Sequence, residues 1–130
     1  GKKIAYKIGS TIIFNNYLFT ALTEFDENNV ARSSKINYLR FCLNFWKNID
    51  RLYCGKIVNI PILGAGITRF EDNKPTKQEL LKILLWTLKL SGFSSTVTGV
   101  CINFLIYKDD MKDIDFFDLQ NSLTYEDEVK

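Results

Sequence analysis

Apolar and polar positions change their spacing along the chain, and each change marks an element. Residues 11–14 and 17–23 are apolar, β-branched or aromatic, with Asn15-Asn16 between them, a pair that tolerates the left-handed angles of a two-residue turn. They predict a β-hairpin. A polar segment, 24–33, follows as a loop. From Ser34 onward Ile36, Leu39, Leu43, Trp46, Ile49 and Tyr53 recur at three- and four-residue steps, with Arg40, Asn44, Lys47 and Arg51 opposite, which predicts an amphipathic helix ended by Gly55.

Residues 57–63 are apolar almost throughout, the signature of a parallel strand covered on both faces. Thr76 and Glu79 have the spacing of a capping box, so a second helix starts there and runs to about Leu90. Its Leu80, Leu81, Ile83, Leu84, Leu85, Trp86 and Leu88 leave only a thin polar stripe, and Trp86 is expected at the core edge. After a Gly- and Ser-rich connection, 97–107 predicts a long strand. Residues 113–123 predict a short helix with Ile114, Phe117 and Leu119 turned inward, followed by a charged tail. The pattern implies an α/β fold: one domain over 1–130, a mixed sheet flanked by helices, with an N-terminal β-hairpin. Two strand-helix-strand units, 17–63 and 57–107, would have parallel strands whose carboxyl ends share an edge.

Composition narrows the chemistry. With 130 residues and 46% hydrophobic content the chain suits one domain with its own core. Seventeen Lys and Arg against 15 Asp and Glu give a net charge of +2 without clustering, so nucleic acid is not an expected partner. Cys42, Cys54 and Cys101 have no metal-ligand spacing, and their odd number fits a reducing compartment rather than a disulfide framework. Histidine is absent, which removes the usual general base, the usual neutral metal ligand and every Ser-His or Cys-His nucleophile. No catalytic residue, metal or resident cofactor is expected. The longest uncharged stretch, 90–107, carries Ser, Thr, Gly and Asn, which argue against its insertion into lipid.

The segment Asn59-Ile-Pro-Ile-Leu-Gly64-Ala-Gly66-Ile-Thr-Arg69 reads as a buried strand opening into a glycine turn. Gly64 and Gly66 can take angles closed to other residues and let several peptide N–H groups face one anion. A Gly-x-Gly alone is weak, since the dinucleotide fingerprint and the Walker lysine are both missing. Its place beyond the carboxyl end of a strand is where ligands collect in open α/β sheets, and the loops 24–33, 64–74 and 108–112 are expected at that edge. Around the first loop, Asp26 can accept from an exocyclic amine, Asn28 or Asn29 can bond ribose hydroxyls, Phe25 can stack on a base and Thr23 adds a hydroxyl. A solvated turn accounts for the same composition. Arg69 can pair with a phosphate or stand as a solvated cation, and Ser33, Ser34 and Thr76 read as helix caps rather than nucleophiles.

The residues Tyr17-Leu-Phe-Thr-Ala-Leu-Thr-Glu-Phe-Asp26, Trp46, Ile60-Pro-Ile-Leu-Gly-Ala-Gly-Ile-Thr-Arg69, Gln78-Glu-Leu-Leu81 and Ile102-Asn-Phe-Leu-Ile-Tyr107 resemble the macro-like domain of the Thoeris antiphage effectors. More distantly the chain is similar to ADP-ribose-binding macro domains. The resemblance implies a sensor domain for an ADP-ribose derivative, histidine-ADP-ribose for this effector type, made from NAD by a TIR-domain protein during infection. It implies that binding triggers self-association and membrane damage, and that this is the cytoplasmic, C-terminal part of a bacterial inner-membrane protein with N-terminal spanning helices. By position, Gly64, Ala65, Gly66, Ile67, Thr68 and Arg69 match the diphosphate-binding turn, with Thr23, Phe25, Asp26 and Asn28 in the other ligand-facing loop. The Asn-Ala-Asn and glycine-rich segment of hydrolytic macro domains is replaced by Thr-Glu-Phe-Asp. A de-ADP-ribosylating hydrolase and a ligand-free interaction module are the rival readings.

Overall fold

Asn15 sits at φ 56° in the left-handed region, as the hairpin requires, and β1 (Thr11–Phe14) pairs antiparallel with β2 (Tyr17–Thr20), Phe14 opposite Tyr17. The computed structural model describes residues 8–15, 17–25, 27–28, 31–52, 57–66, 69–70, 73–91 and 102–129. Gly55, Cys54, Cys101 and the start of the predicted last strand lie outside them.

Helix α1 (Lys35–Leu52) is opened by the Ser34 hydroxyl, which accepts the Asn37 N–H at 3.1 Å. The face it buries is not the one the spacing predicts. Tyr38, Phe41, Cys42, Phe45, Trp46 and Ile49 are inside, whereas Ile36 (64%), Leu39 (43%) and Leu43 (43%) are exposed. Two apolar stripes overlap on this helix and share Trp46 and Ile49. The one with three additional aromatic rings removes more apolar area from water, because each ring buries roughly 150–250 Å². The rings form a continuous seam: Phe41 and Phe45 stack at 5.5 Å, and Trp46 meets Phe45 and Phe104 edge-on at 5.1 and 6.1 Å.

Helix α2 (Lys77–Leu90) carries the expected capping box. The Glu79 N–H donates to the Thr76 hydroxyl at 3.1 Å, and the Thr76 N–H donates to Glu79 Oε1 at 3.3 Å. Leu80 and Leu84 are buried against α1 while Leu81 faces a second cluster, and the Trp46 indole N–H donates to both the Leu84 carbonyl and the buried Thr87 hydroxyl at 3.0 Å. This satisfies a polar handle that would otherwise cost free energy in the core. Trp86 lies at the rim, 38% exposed.

Strands β5 (Val58–Pro61) and β7 (Ile102–Leu105) pair in parallel around α2, Val58 beside Ile102 and Pro61 beside Leu105, as the second strand-helix-strand unit predicts. The first unit differs. Within the described residues β2 pairs with β1, and the strand that feeds α1 is β4 (Ala31–Ser33), inside the segment expected to be a loop. β4 pairs antiparallel with β3 (Glu24–Phe25) and parallel with β6 (Arg69–Phe70). Its buried Ala31 and Ser33 flank an exposed Arg32, an alternation too short and too small-sided to stand out as a strand.

A 3-10 helix (Lys108–Asp113) and α3 (Phe116–Val129) close the chain. Ile114 and Leu119 are buried with Leu81, as expected, but Phe117 is 79% exposed. The helix starts after Ile114, not before it, and the Asp115 carboxylate caps it by accepting the Asp118 N–H at 3.0 Å. That shift in phase turns Phe117 outward. Asp118 is held below the usual carboxylate range by hydrogen bonds from Lys82, 2.6 Å away, and from Gln78 at 2.7 Å. Among the described residues no helix is long and apolar enough to cross a membrane.

Candidate functional site

Strand β5 ends at Pro61, and the chain then turns sharply: the Ala65 N–H donates to the Ile62 carbonyl at 3.4 Å while Gly64 holds φ +85°. A positive φ at the third of four residues is the requirement of a type II turn, which glycine meets without strain. A β-carbon on Gly64 would lie 3.1 Å from Tyr38 Cε2. Gly66 is different. It is exposed, outside the left-handed region, and a β-carbon there would meet nothing within 4 Å. The expectation that both glycines serve backbone angles therefore holds for Gly64 alone. Gly66 leaves space.

The parallel register of β4 and β6 sets Arg32 beside Arg69 and Ser33 beside Phe70, and the antiparallel register of β3 and β4 sets Glu24 beside Arg32. β3 and β6, far apart in sequence, are thus joined through β4 in one small sheet, about two strand spacings or roughly 10 Å across. Thr23 is half-buried at the start of β3, the Phe25 backbone is within it, and Asn28 lies in an exposed turn. Arg69 opens β6. Asp26, Asn29, Ile67 and Thr68 lie outside the described residues. The third loop, 108–112, forms the 3-10 helix, and its Asp110 pairs with Lys77 at 2.5 Å, which fixes it to the first turn of α2.

Tyr38 is the residue beneath the turn. Its hydroxyl donates to the Leu63 carbonyl at 2.6 Å, and its ring meets Phe70 edge-on at 6.3 Å. Burial, then the neighbouring Cys42, raises its hydroxyl well above the usual tyrosine value, so it remains a protonated donor. Burial pushes the Cys42 thiol up to about 12, which keeps it neutral and poorly nucleophilic. Reading the helix by its aliphatic stripe hides Tyr38. The signal available was the second stripe, 38, 41, 42, 45, 49, which places a tyrosine on the face that a glycine turn must cross. Among the described residues no group of His, Cys, Asp and Glu can hold a metal.

Comparison with known proteins is consistent with this geometry. Residues 1–103, from the hairpin through the glycine turn and α2 into β7, match the family described as Thoeris protein ThsA, Macro domain. The Thoeris protein ThsA of Bacillus amyloliquefaciens (strain Y2) is 36% identical over 120 residues, which cover 92% of this chain and 40% of that relative. The chain thus spans less than half the length of the curated relative it matches. By the family match over most of its length, it belongs to the macro-domain family of the Thoeris protein ThsA.

Proposed function

We propose that this domain is a non-enzymatic sensor in antiphage defence that binds an ADP-ribose-derived signal, histidine-ADP-ribose, made by a TIR-domain protein. The observation that carries the reading is the pair of unlike glycines past the end of β5: Gly64 holds the left-handed angle that turns the chain, and Gly66 leaves the room a diphosphate needs. Backbone amides held by a turn are donors that need no reorganisation when the anion arrives. The long 3.4 Å bond from Ala65 is weak enough for a phosphate oxygen to compete with Ile62 for that N–H. Arg69 adds a charge-assisted contact, while Thr23, Phe25, Asp26, Asn28 and Asn29 read the nucleoside or its adduct.

Sensing follows if the ligand binds one state of the full-length protein better than another, since only differential affinity shifts a population. The shift is transmitted to self-association of the full-length protein at the bacterial inner membrane, with this domain on the cytoplasmic side. Calorimetric titration with NAD, ADP-ribose and histidine-ADP-ribose, followed by chromatography of the recovered ligand, tests the reading. Binding of the adduct with intact recovery is the expected result. Turnover would favour the hydrolase, and heat of dilution alone with all three ligands would favour an interaction module.

A further inference from the structure

We propose that Tyr38 is the positioning residue of the ligand-binding turn, holding the two ends of the 64–69 segment at a fixed separation. The inference rests on the reading of that turn as a diphosphate site. At the near end, the Tyr38 hydroxyl donates to the Leu63 carbonyl at 2.6 Å, one residue before Gly64. At the same end, a β-carbon on Gly64 would lie only 3.1 Å from its ring, which leaves the turn no room to sink toward α1. At the far end, the same ring packs edge-on against Phe70, the residue after Arg69, at 6.3 Å and 62°. Phe70 is in turn paired in register with Ser33, which closes the frame back to the start of α1.

Tyr38 is itself immobilised. It is 1% exposed, its ring is tilted against Phe41 at 6.0 Å, and its N–H donates to the Ser34 carbonyl at 2.8 Å in the first turn of α1. A side chain so fixed acts as a rigid post, and the turn it supports presents its amides in one geometry before ligand arrives. Affinity gained in this way comes from ordering already present in the free protein.

The test is Tyr38→Phe, which retains the ring and removes only the donor to Leu63. Ile49→Val, farther along the same helix and equally buried, serves as the control for general destabilisation. In Tyr38→Phe, affinity for histidine-ADP-ribose is expected to fall about three- to tenfold, the effect of one uncharged hydrogen bond, and amide exchange at Ala65 to accelerate. Ile49→Val should leave both unchanged. Wild-type affinity in Tyr38→Phe, or an equal loss in Ile49→Val, overturns the assignment. If wild-type protein fails to bind histidine-ADP-ribose, the ligand reading falls by itself, and exchange at Ala65 alone decides the role of Tyr38: faster exchange in Tyr38→Phe supports it, and wild-type exchange overturns it.

Discussion

The aromatic seam between α1 and α2 and the glycine turn after β5 are built on opposite principles. In the seam, side chains fill space and every polar handle is paired, as Trp46 is with Leu84 and Thr87. In the turn, side chains are missing where they would matter: Gly64 has a ring against its empty β-position, and Gly66 has open space there. The seam holds the fold, and the turn leaves space beside its main chain at Gly66. The difference suggests that stability and ligand binding can be perturbed separately, except through Tyr38, which belongs to both.

Trp46→Ala should produce the largest effect on stability. It removes the central ring of the seam together with its hydrogen bonds to the Leu84 carbonyl and the Thr87 hydroxyl, so a loss of about 3–5 kcal/mol is expected in urea or thermal unfolding. The fraction that stays folded should bind ligand with wild-type affinity, because the turn is untouched. Reduced affinity in the folded fraction would mean that the two regions are not separable.

Gly64→Ala comes next. Alanine at φ +85° is strained by roughly 1–2 kcal/mol, and its β-carbon, 3.1 Å from Tyr38, forces either the ring or the turn to move. Stability and affinity should both fall, which makes this the substitution that couples the two regions. Gly66→Phe should separate them again. With nothing within 4 Å of its β-position, stability should stay within about 0.5 kcal/mol of wild type, while the added ring occupies the phosphate space and abolishes binding. Calorimetry and thermal unfolding on the same samples measure both quantities, and retained binding in Gly66→Phe would count directly against the proposed site.

The contrast also explains what could be read in the sequence. Elements defined by local chemistry are legible: the Asn15 turn, the Thr76-Glu79 box, the glycine turn, and the β5 strand with its parallel partner β7, although β5 is buried on one face rather than the two expected, with Asn59 and Pro61 exposed. Elements defined by tertiary pairing are not. β3, β4 and β6 contain only two or three residues each, too few for a period, and exist because they find one another. The buried face of α1 was misjudged because two apolar stripes compete on one helix, and the winner is decided by what the rest of the chain brings to it. Phe117 was misjudged because the start of α3 depends on the Asp115 cap, which sets the phase. Of the site, the glycine turn was visible and its support was not: Tyr38 acts through Leu63 and Phe70, residues 25 and 32 positions away.

Cys42 offers the smallest effect and the finest probe of the comparison. It lies one helical turn from Tyr38, fully buried in the seam, with its thiol pushed up to about 12 from an ordinary value of 9.0. The folded state therefore keeps a proton that the unfolded chain releases from about pH 9 upward. The stability due to the neutral thiol is fully present below about 9 and is lost as pH rises through about 12. At neutral pH no change is expected, and Cys42→Ala should blunt only the alkaline part of the stability profile. Alkylation gives the sharper reading. With the seam closed, iodoacetamide at pH 8 should label Cys42 only as fast as the whole domain unfolds, and peptide mapping will show it unmodified under native conditions. Rapid native labelling would show that the seam opens beneath the turn, and Tyr38 would then be too mobile to serve as a fixed post.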